Sequence, residues 1–239
     1  MYTALIIEPR KHPALQFVLK NFLENLDERW SFLLFHGTEN EQWVQDMISN
    51  EFPSDAKRIT LKPLGVPNLS WGEYARLCAS KEFLEKIPTE IFLKFEVDTM
   101  LCPSEKNLIY DFIDYDYVGS PWLYISPPEY SGKVGNGGLS LRKKSKMLEV
   151  IEQYPYTNGT PEDGYFCVYN DIVQLNRPTF EEAKLFAMET TFSPRCFGLH
   201  KAWVYQHGHT DEIESRFPGY KELIRLNSLP VLDQATPPA

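Results

Sequence analysis

Along this chain the apolar positions fall into short blocks that switch between the period of a strand and that of a helix. Residues 3–7 form a brief apolar run of β type that stops at Glu8-Pro9-Arg10. Pro13 then opens a helix with Leu15, Val18, Leu19, Phe22, Leu23 and Leu26 on one stripe, the spacing of a helix packed on a core. Residues 30–36 predict a second strand. Thr38 and Glu41 have the spacing of a capping box, ahead of a second helix that buries Trp43, Val44, Met47 and Ile48. Residues 58–61 predict a third strand. A βαβαβ start of this kind predicts a mostly parallel central sheet flanked by helices, an α/β fold.

Ser70 and Glu73 repeat the capping-box spacing and start a helix that runs to about residue 87, where Pro88 ends it. Residues 91–98 follow, Ile-Phe-Leu-Lys-Phe-Glu-Val-Asp, a nearly continuous apolar run ending in two carboxylates. A strand of that kind is buried on both faces and belongs in the middle of the sheet. Pro103 opens a short helix, and residues 115–118 predict another strand. Residues 123–134, rich in Pro, Tyr, Ser and Gly, read as a long loop, mobile or facing an acceptor. Gly135-Asn136-Gly137-Gly138 leads into a short alternating strand at 139–142 and a helix over 143–153. Thr160-Pro161-Glu162-Asp163 carries the chemistry of a helix start, and Thr179 with Glu182 caps one more helix. Residues 190–192 predict a last strand and 220–226 a short helix. The chain reads as one domain over residues 1–229 with a frayed, Pro-rich tail at 230–239.

Composition narrows the function classes. The 239 residues carry a formal net charge of −9, which argues against a general nucleic-acid binder. No apolar run approaches membrane-spanning length and the N-terminus lacks a secretory pattern, so the chain is expected to be soluble and cytoplasmic. Cys78, Cys102, Cys167 and Cys196 are scattered without a CxxC pair, which favours reduced, buried thiols over a zinc site or disulfides.

Several residues carry candidate chemistry. Glu96 and Asp98 stand two apart in a strand-like segment, so their side chains point the same way, and ligands gather at the carboxyl ends of central strands. Two hard oxygen donors there suggest a divalent cation and a phosphate-bearing substrate; the alternative is a solvated strand end. Gly135–Gly138 lets backbone approach a ligand closely, or simply turns the chain. It lacks GxGxxG spacing and opens no helix, which argues against a dinucleotide pyrophosphate site. Glu162 and Asp163 are either a positioned carboxylate that takes a proton from a hydroxyl nucleophile or acids that any helix start prefers. His200, with His207 and His209 nearby, is either a metal ligand or structural. Trp71 and Tyr74 either stack on a base or belong to the core. Arg10 either meets phosphate or is a solvated charge.

The order of these signals resembles the GT-A fold of nucleotide-sugar glycosyltransferases, and most closely an uncharacterised glycosyltransferase-like family of microbes and large DNA viruses. The stretches that carry the resemblance are FEVDTML at 95–101, YDYVGSPW at 115–122, VGNGGLSLR at 134–142, PEDGYFC at 161–167 and ETTFSPRCFGLHKAW at 189–203. It implies that Glu96-Val97-Asp98 stands where the family has Asp-x-Asp. Asp98 and His200 would then hold Mn²⁺ or Mg²⁺, with Glu96 as the departure from the motif. It implies Asp163, with Glu162 second, as catalytic base of an inverting transfer. It implies that Asn136, Gly137 and Gly138 line the donor sugar and that Pro9, Arg10 and Trp71 lie near the nucleotide. The cofactors implied are a divalent metal and a nucleotide-diphosphate sugar donor, with a glycan or other hydroxyl acceptor as the second partner. A non-catalytic module that binds nucleotide sugar on the same fold is the alternative. A nucleotidyltransferase or a metal-dependent phosphohydrolase on a similar sheet is a third reading; the lack of a basic, Gly-rich activation loop near the N-terminus argues against a sugar-nucleotide pyrophosphorylase.

Overall fold

A computed structural model describes residues 1–123, 127–157 and 159–232. β1 (Tyr2–Ile7), β2 (Trp30–His36), β3 (Ile59–Pro63) and β4 (Ile91–Phe95) run parallel in the spatial order β3-β2-β1-β4. β5 (Thr99–Leu101) leaves this sheet. β6 (Tyr117–Gly119) and β7 (Leu139–Lys143) extend it beyond β4 in the order β4-β7-β6, with β7 antiparallel to both neighbours. β8 (Ala187–Met188) and β9 (Gly198–His200) join β5 in a small second sheet, β5-β9-β8.

The central strands β1, β2 and β4 are apolar almost without a break because both faces of the large sheet are covered there. Ala4, Ile6, Phe32, Leu34, Leu93 and Phe95 face one core, which takes in α1 (Leu15–Asn25) and α2 (Glu41–Glu51). Leu5, Ile7, Leu33, Phe35 and Phe92 face the other, against α3 (Trp71–Cys78), α4 (Lys81–Leu84) and α5 (Lys144–Gln153). Phe22 of α1 stacks on Phe95 at the end of β4, ring centroids 3.9 Å apart. α6 (Glu162–Gly164) opens into a π-helical stretch at Tyr165–Tyr169, and α7 (Phe180–Phe186) precedes the second sheet. α8 (Thr210–Arg216) and α9 (Tyr220–Ser228) close the first core through Ile213, Tyr220 and Leu223.

Several expectations need correction. Thr38 and Glu41 form no capping box. Asn40 is the N-cap of α2, and its side chain is turned elsewhere, accepting from the Gly37 amide and donating to the Glu8 and Arg10 carbonyls. The helix expected to run to about residue 87 breaks after Cys78, because the Ser80 side chain caps a second short helix instead. Residues 190–192 are not a strand, since pairing ends at Met188, and α8 had no clear apolar stripe in the sequence. The strand expected over 91–98 stops at Phe95, so Glu96-Val97-Asp98 is a turn. Thr160 does not cap the helix at Glu162; Pro161 occupies the N-cap without a side-chain bond. The capping boxes at Ser70/Glu73 and Thr179/Glu182 are formed. The four cysteines are free and buried. Of the expected tail, residues 233–239 lie outside the described residues, as do residues 124–126 of the long loop. Among the described residues no helix is long and apolar enough to cross a membrane.

Candidate active site

β4 delivers its last side chains to the carboxyl edge of the sheet, where a cleft of about 400 Å³ opens. Pro9, Arg10, Trp71, Glu96, Asn136, Gly137, Gly138, Glu162, Asp163 and His200 all line it. Asp98 lies beside this lining, with 16% of its side chain exposed.

The turn after β4 is fixed from three sides. The Thr99 hydroxyl donates to the Glu96 carbonyl at 2.6 Å, Asn227 of α9 donates to the Val97 carbonyl at 3.0 Å, and Asn21 of α1 accepts from the Leu101 amide at 2.7 Å. β5 pairs antiparallel with β9, Thr99 opposite His200, which brings Asp98 and His200 together from sequence positions far apart. Asp98 Oδ1 lies 3.4 Å from His200 Nε2 and, though buried, has no hydrogen-bond partner. One donor atom each from Glu96, Asp98 and His200 falls within 4.8 Å of the others. Lys201, next to His200, takes the left-handed φ of +47° and donates its amide to the Asp98 carbonyl at 2.9 Å. Gly138 has no room for a Cβ, which would fall on the His200 imidazole. Burial works against charge on all three groups. The imidazole nonetheless overcomes it to hold the Asp98 carboxyl below the usual range, and Lys94 does the same for Glu96. Asp98 and Glu189 in turn raise His200 well above its ordinary value against the same burial. The cluster therefore attracts positive charge.

Beside this cluster sits a buried ion network. Lys94, on β4, is 1% exposed. Its ammonium donates to Glu96 Oε1 at 2.6 Å and to the Gly137 carbonyl at 2.8 Å, and lies 3.2 Å from Glu162. Tyr74 of α3 donates to the same Glu96 oxygen at 2.8 Å. Arg142 of β7 lies 3.0 Å from both Glu162 oxygens, its guanidinium over the ring of Tyr117. The two cations share one face of the sheet because Arg142 pairs with Phe92 and Ser140 with Lys94. Breaking such a pair leaves a buried charge uncompensated. Lys94→Met is accordingly expected to cost about 3 kcal/mol of stability, read from a urea melt; a loss under about 1 kcal/mol would mean that Glu162 is satisfied by Arg142 alone.

The two acids of α6 differ sharply. Burial opposes charge on Glu162, but Arg142 and Lys94 outweigh it and hold its carboxyl below the usual range. For Asp163 burial wins instead. Burial, then the neighbouring Glu162, pushes its carboxyl up to about 6, although it accepts from the Gly137 amide at 3.0 Å and the Gly164 amide at 2.7 Å. Gly137 is pinned between these acids: a Cβ there would meet Glu162 and Asp163.

The remaining sequence candidates are placed as follows. Arg10 faces the cleft, but its guanidinium is engaged by Glu8 at 2.8 Å through two nitrogens. Trp71 is 60% exposed at the cleft. His209 stacks on Phe192 and pairs with Glu212, apart from Glu96, Asp98 and His200. Sequence reasoning assigned no role to Lys94, Arg142 or Glu189. A lysine inside an apolar strand and an arginine in a buried one were the available signals, since a buried charge must be paired. Glu189 carried none.

A family model described as "Protein of unknown function (DUF5672)" matches residues 67–200. No curated protein matches the chain. Among solved structures, an active-site mutant of LgtC has a TM-score of 0.57 at 13% identity, covering 95% of this chain and 97% of that one. The galactosyltransferase LgtC in complex with donor and acceptor sugar analogues gives 0.55 at 14% identity over the same shares. TarS from S. aureus gives 0.50 at 8% identity, covering 95% of this chain and 69% of that one. The fold is that of the GT-A glycosyltransferases. At such identities the likeness speaks for the fold alone.

Proposed function

The chain belongs to this family of proteins of unknown function, and we propose that it is a metal-dependent glycosyltransferase that moves a sugar from a nucleotide diphosphate to a hydroxyl acceptor. One observation carries the reading: a buried carboxylate oxygen on Asp98 with no hydrogen-bond partner among the described residues, clustered with Glu96 and His200 at the cleft that Asp163 also lines. Two carboxylates and an imidazole suit Mn²⁺ better than Mg²⁺, which prefers an all-oxygen shell. Bound there, the ion would neutralise the charge that grows on the diphosphate as the anomeric bond breaks.

The protein's own residues do the rest. Asp98 and His200 would hold the ion. Glu96, tied to Lys94 and Tyr74, keeps one carboxylate edge fixed, which is the use this chain makes of the longer acid. Asn136, Gly137 and Gly138 form the wall against the donor sugar. Asp163 accepts the proton of the acceptor hydroxyl while that oxygen bonds to the anomeric carbon and the nucleoside diphosphate leaves. Attack from the side opposite the leaving group inverts the anomeric centre. Glu162 keeps its charge among two cations and positions the Asp163 helix rather than taking a proton. Trp71 offers an apolar face for the base, and Pro9 and Arg10 border it.

The test incubates purified protein with UDP-, GDP- and dTDP-sugars, with and without Mn²⁺, and follows nucleoside diphosphate release. Release from one donor class that requires Mn²⁺ is expected. Tight binding of a donor without release under any condition would support the binding-module alternative.

A further inference from the structure

We infer that Glu189 is a positioning residue of the metal site, presenting the His200 imidazole to the ion. The inference rests on the reading that Asp98 and His200 hold a divalent cation. Glu189 follows β8 directly, and the parallel pairing of Met188 with Leu199 sets it next to His200. It is 6% exposed. A single oxygen, Oε1, lies 3.0 Å from His200 Nδ1 and accepts from Asn136 Nδ2 at 3.0 Å. Asn136 Oδ1 in turn accepts from the Gly138 amide at 2.9 Å, and the Gly138 backbone packs against the imidazole. Gln206 fastens the Glu189 backbone by donating to its carbonyl at 2.9 Å.

In the neutral ring, a carboxylate on Nδ1 selects the tautomer with the proton on that nitrogen, and Nε2 then presents its lone pair to an ion. Nε2 is the nitrogen that faces Asp98. Glu189 therefore fixes both which nitrogen is free and where it points, while Asn136 stops the carboxylate from turning away. Outer partners of this kind are worth about 10–100-fold in metal affinity.

The test titrates MnCl₂ into the full chain and its variants by calorimetry, with metal-free thermal unfolding in parallel. Glu189→Ala is expected to lose about 10–100-fold in Mn²⁺ affinity. Glu189→Gln should recover most of it, because an amide oxygen accepts the same N–H groups. If Glu189→Ala does not fold, Glu189→Asp, one methylene shorter, takes its place in the comparison and should bind less well than Glu189→Gln. A merely structural role would lower the unfolding temperature of the variants without separating their Mn²⁺ affinities, and that outcome overturns the inference. So would Mn²⁺ affinity in Glu189→Ala within about twofold of the parent, well short of the loss such partners carry. Failure of the parent protein itself to bind Mn²⁺ would instead overturn the metal reading, and this inference with it.

Discussion

Asp98→Asn is expected to lower sugar transfer by about 10³-fold or more while leaving the fold in place, since the lost electrostatic term at a catalytic ion is worth several kcal/mol. Asparagine has nearly the shape of aspartate, so the turn held by Thr99, Asn227 and Asn21 keeps its bonds. What disappears is the charge of a carboxylate whose Oδ1 is buried without a hydrogen bond. An amide there offers a weaker neutral oxygen or an N–H that repels a cation. His200 retains Glu189 on its other nitrogen, so no new uncompensated charge is buried. Far-UV circular dichroism should be unchanged and Mn²⁺ affinity should collapse. Equal Mn²⁺ affinity in variant and parent would remove Asp98 from the metal site.

Asp163→Asn is expected to keep donor affinity and lose about 10²–10⁴-fold in transfer, the range for a missing general base. The pH dependence separates this from a packing effect. Burial, with Glu162 alongside, pushes the Asp163 carboxyl up to about 6. Below that pH the group carries its proton and cannot take another; above it the carboxylate is free to act. In the parent, kcat/KM should therefore rise through pH 6 and level off toward neutrality, and the variant should lose that limb. Survival of the same limb in Asp163→Asn would assign it to another group. Glu162 is the poor candidate, because its paired cations keep it charged across the whole range. Loss of the limb would show that two adjacent acids pushed apart in this way divide the work, one carrying structure and the other chemistry.

Much of the fold was legible because it follows from local patterns. The doubly wound start needed only alternating periods, and the boxes at Ser70 and Thr179 needed only their spacing. Thr38 failed because capping is a competition: Asn40 stood nearer the helix and was also required to hold the loop of Glu8 and Arg10. The 70–87 helix failed for the related reason that Ser80 could cap a new helix as readily as sit inside an old one. The candidate site was legible where it lies on one segment, as with the acids ending the β4 run and the pair at Glu162–Asp163, which the fold brings to one cleft. The apolar run did not reveal that the strand stops at Phe95 and that the acids sit on a turn. What joins segments was mostly closed to sequence reasoning. Residue types and order suggested that Asp98 meets His200, but the cause is a short antiparallel pairing of β5 with β9 that no local pattern encodes. Lys94 looked like a blemish in an apolar strand until Glu96, Glu162 and Gly137 were placed around it. Glu189, one acid among 33 acidic residues, gains its meaning only from His200 and Asn136.

The most direct measurement is a calorimetric titration of UDP and of GDP into the parent protein and Asp98→Asn, each with and without Mn²⁺. The account predicts that one nucleoside diphosphate binds the parent only when Mn²⁺ is present, and that Asp98→Asn abolishes this binding. Binding of neither nucleotide with Mn²⁺ present, or binding indifferent both to Mn²⁺ and to the substitution, would contradict it.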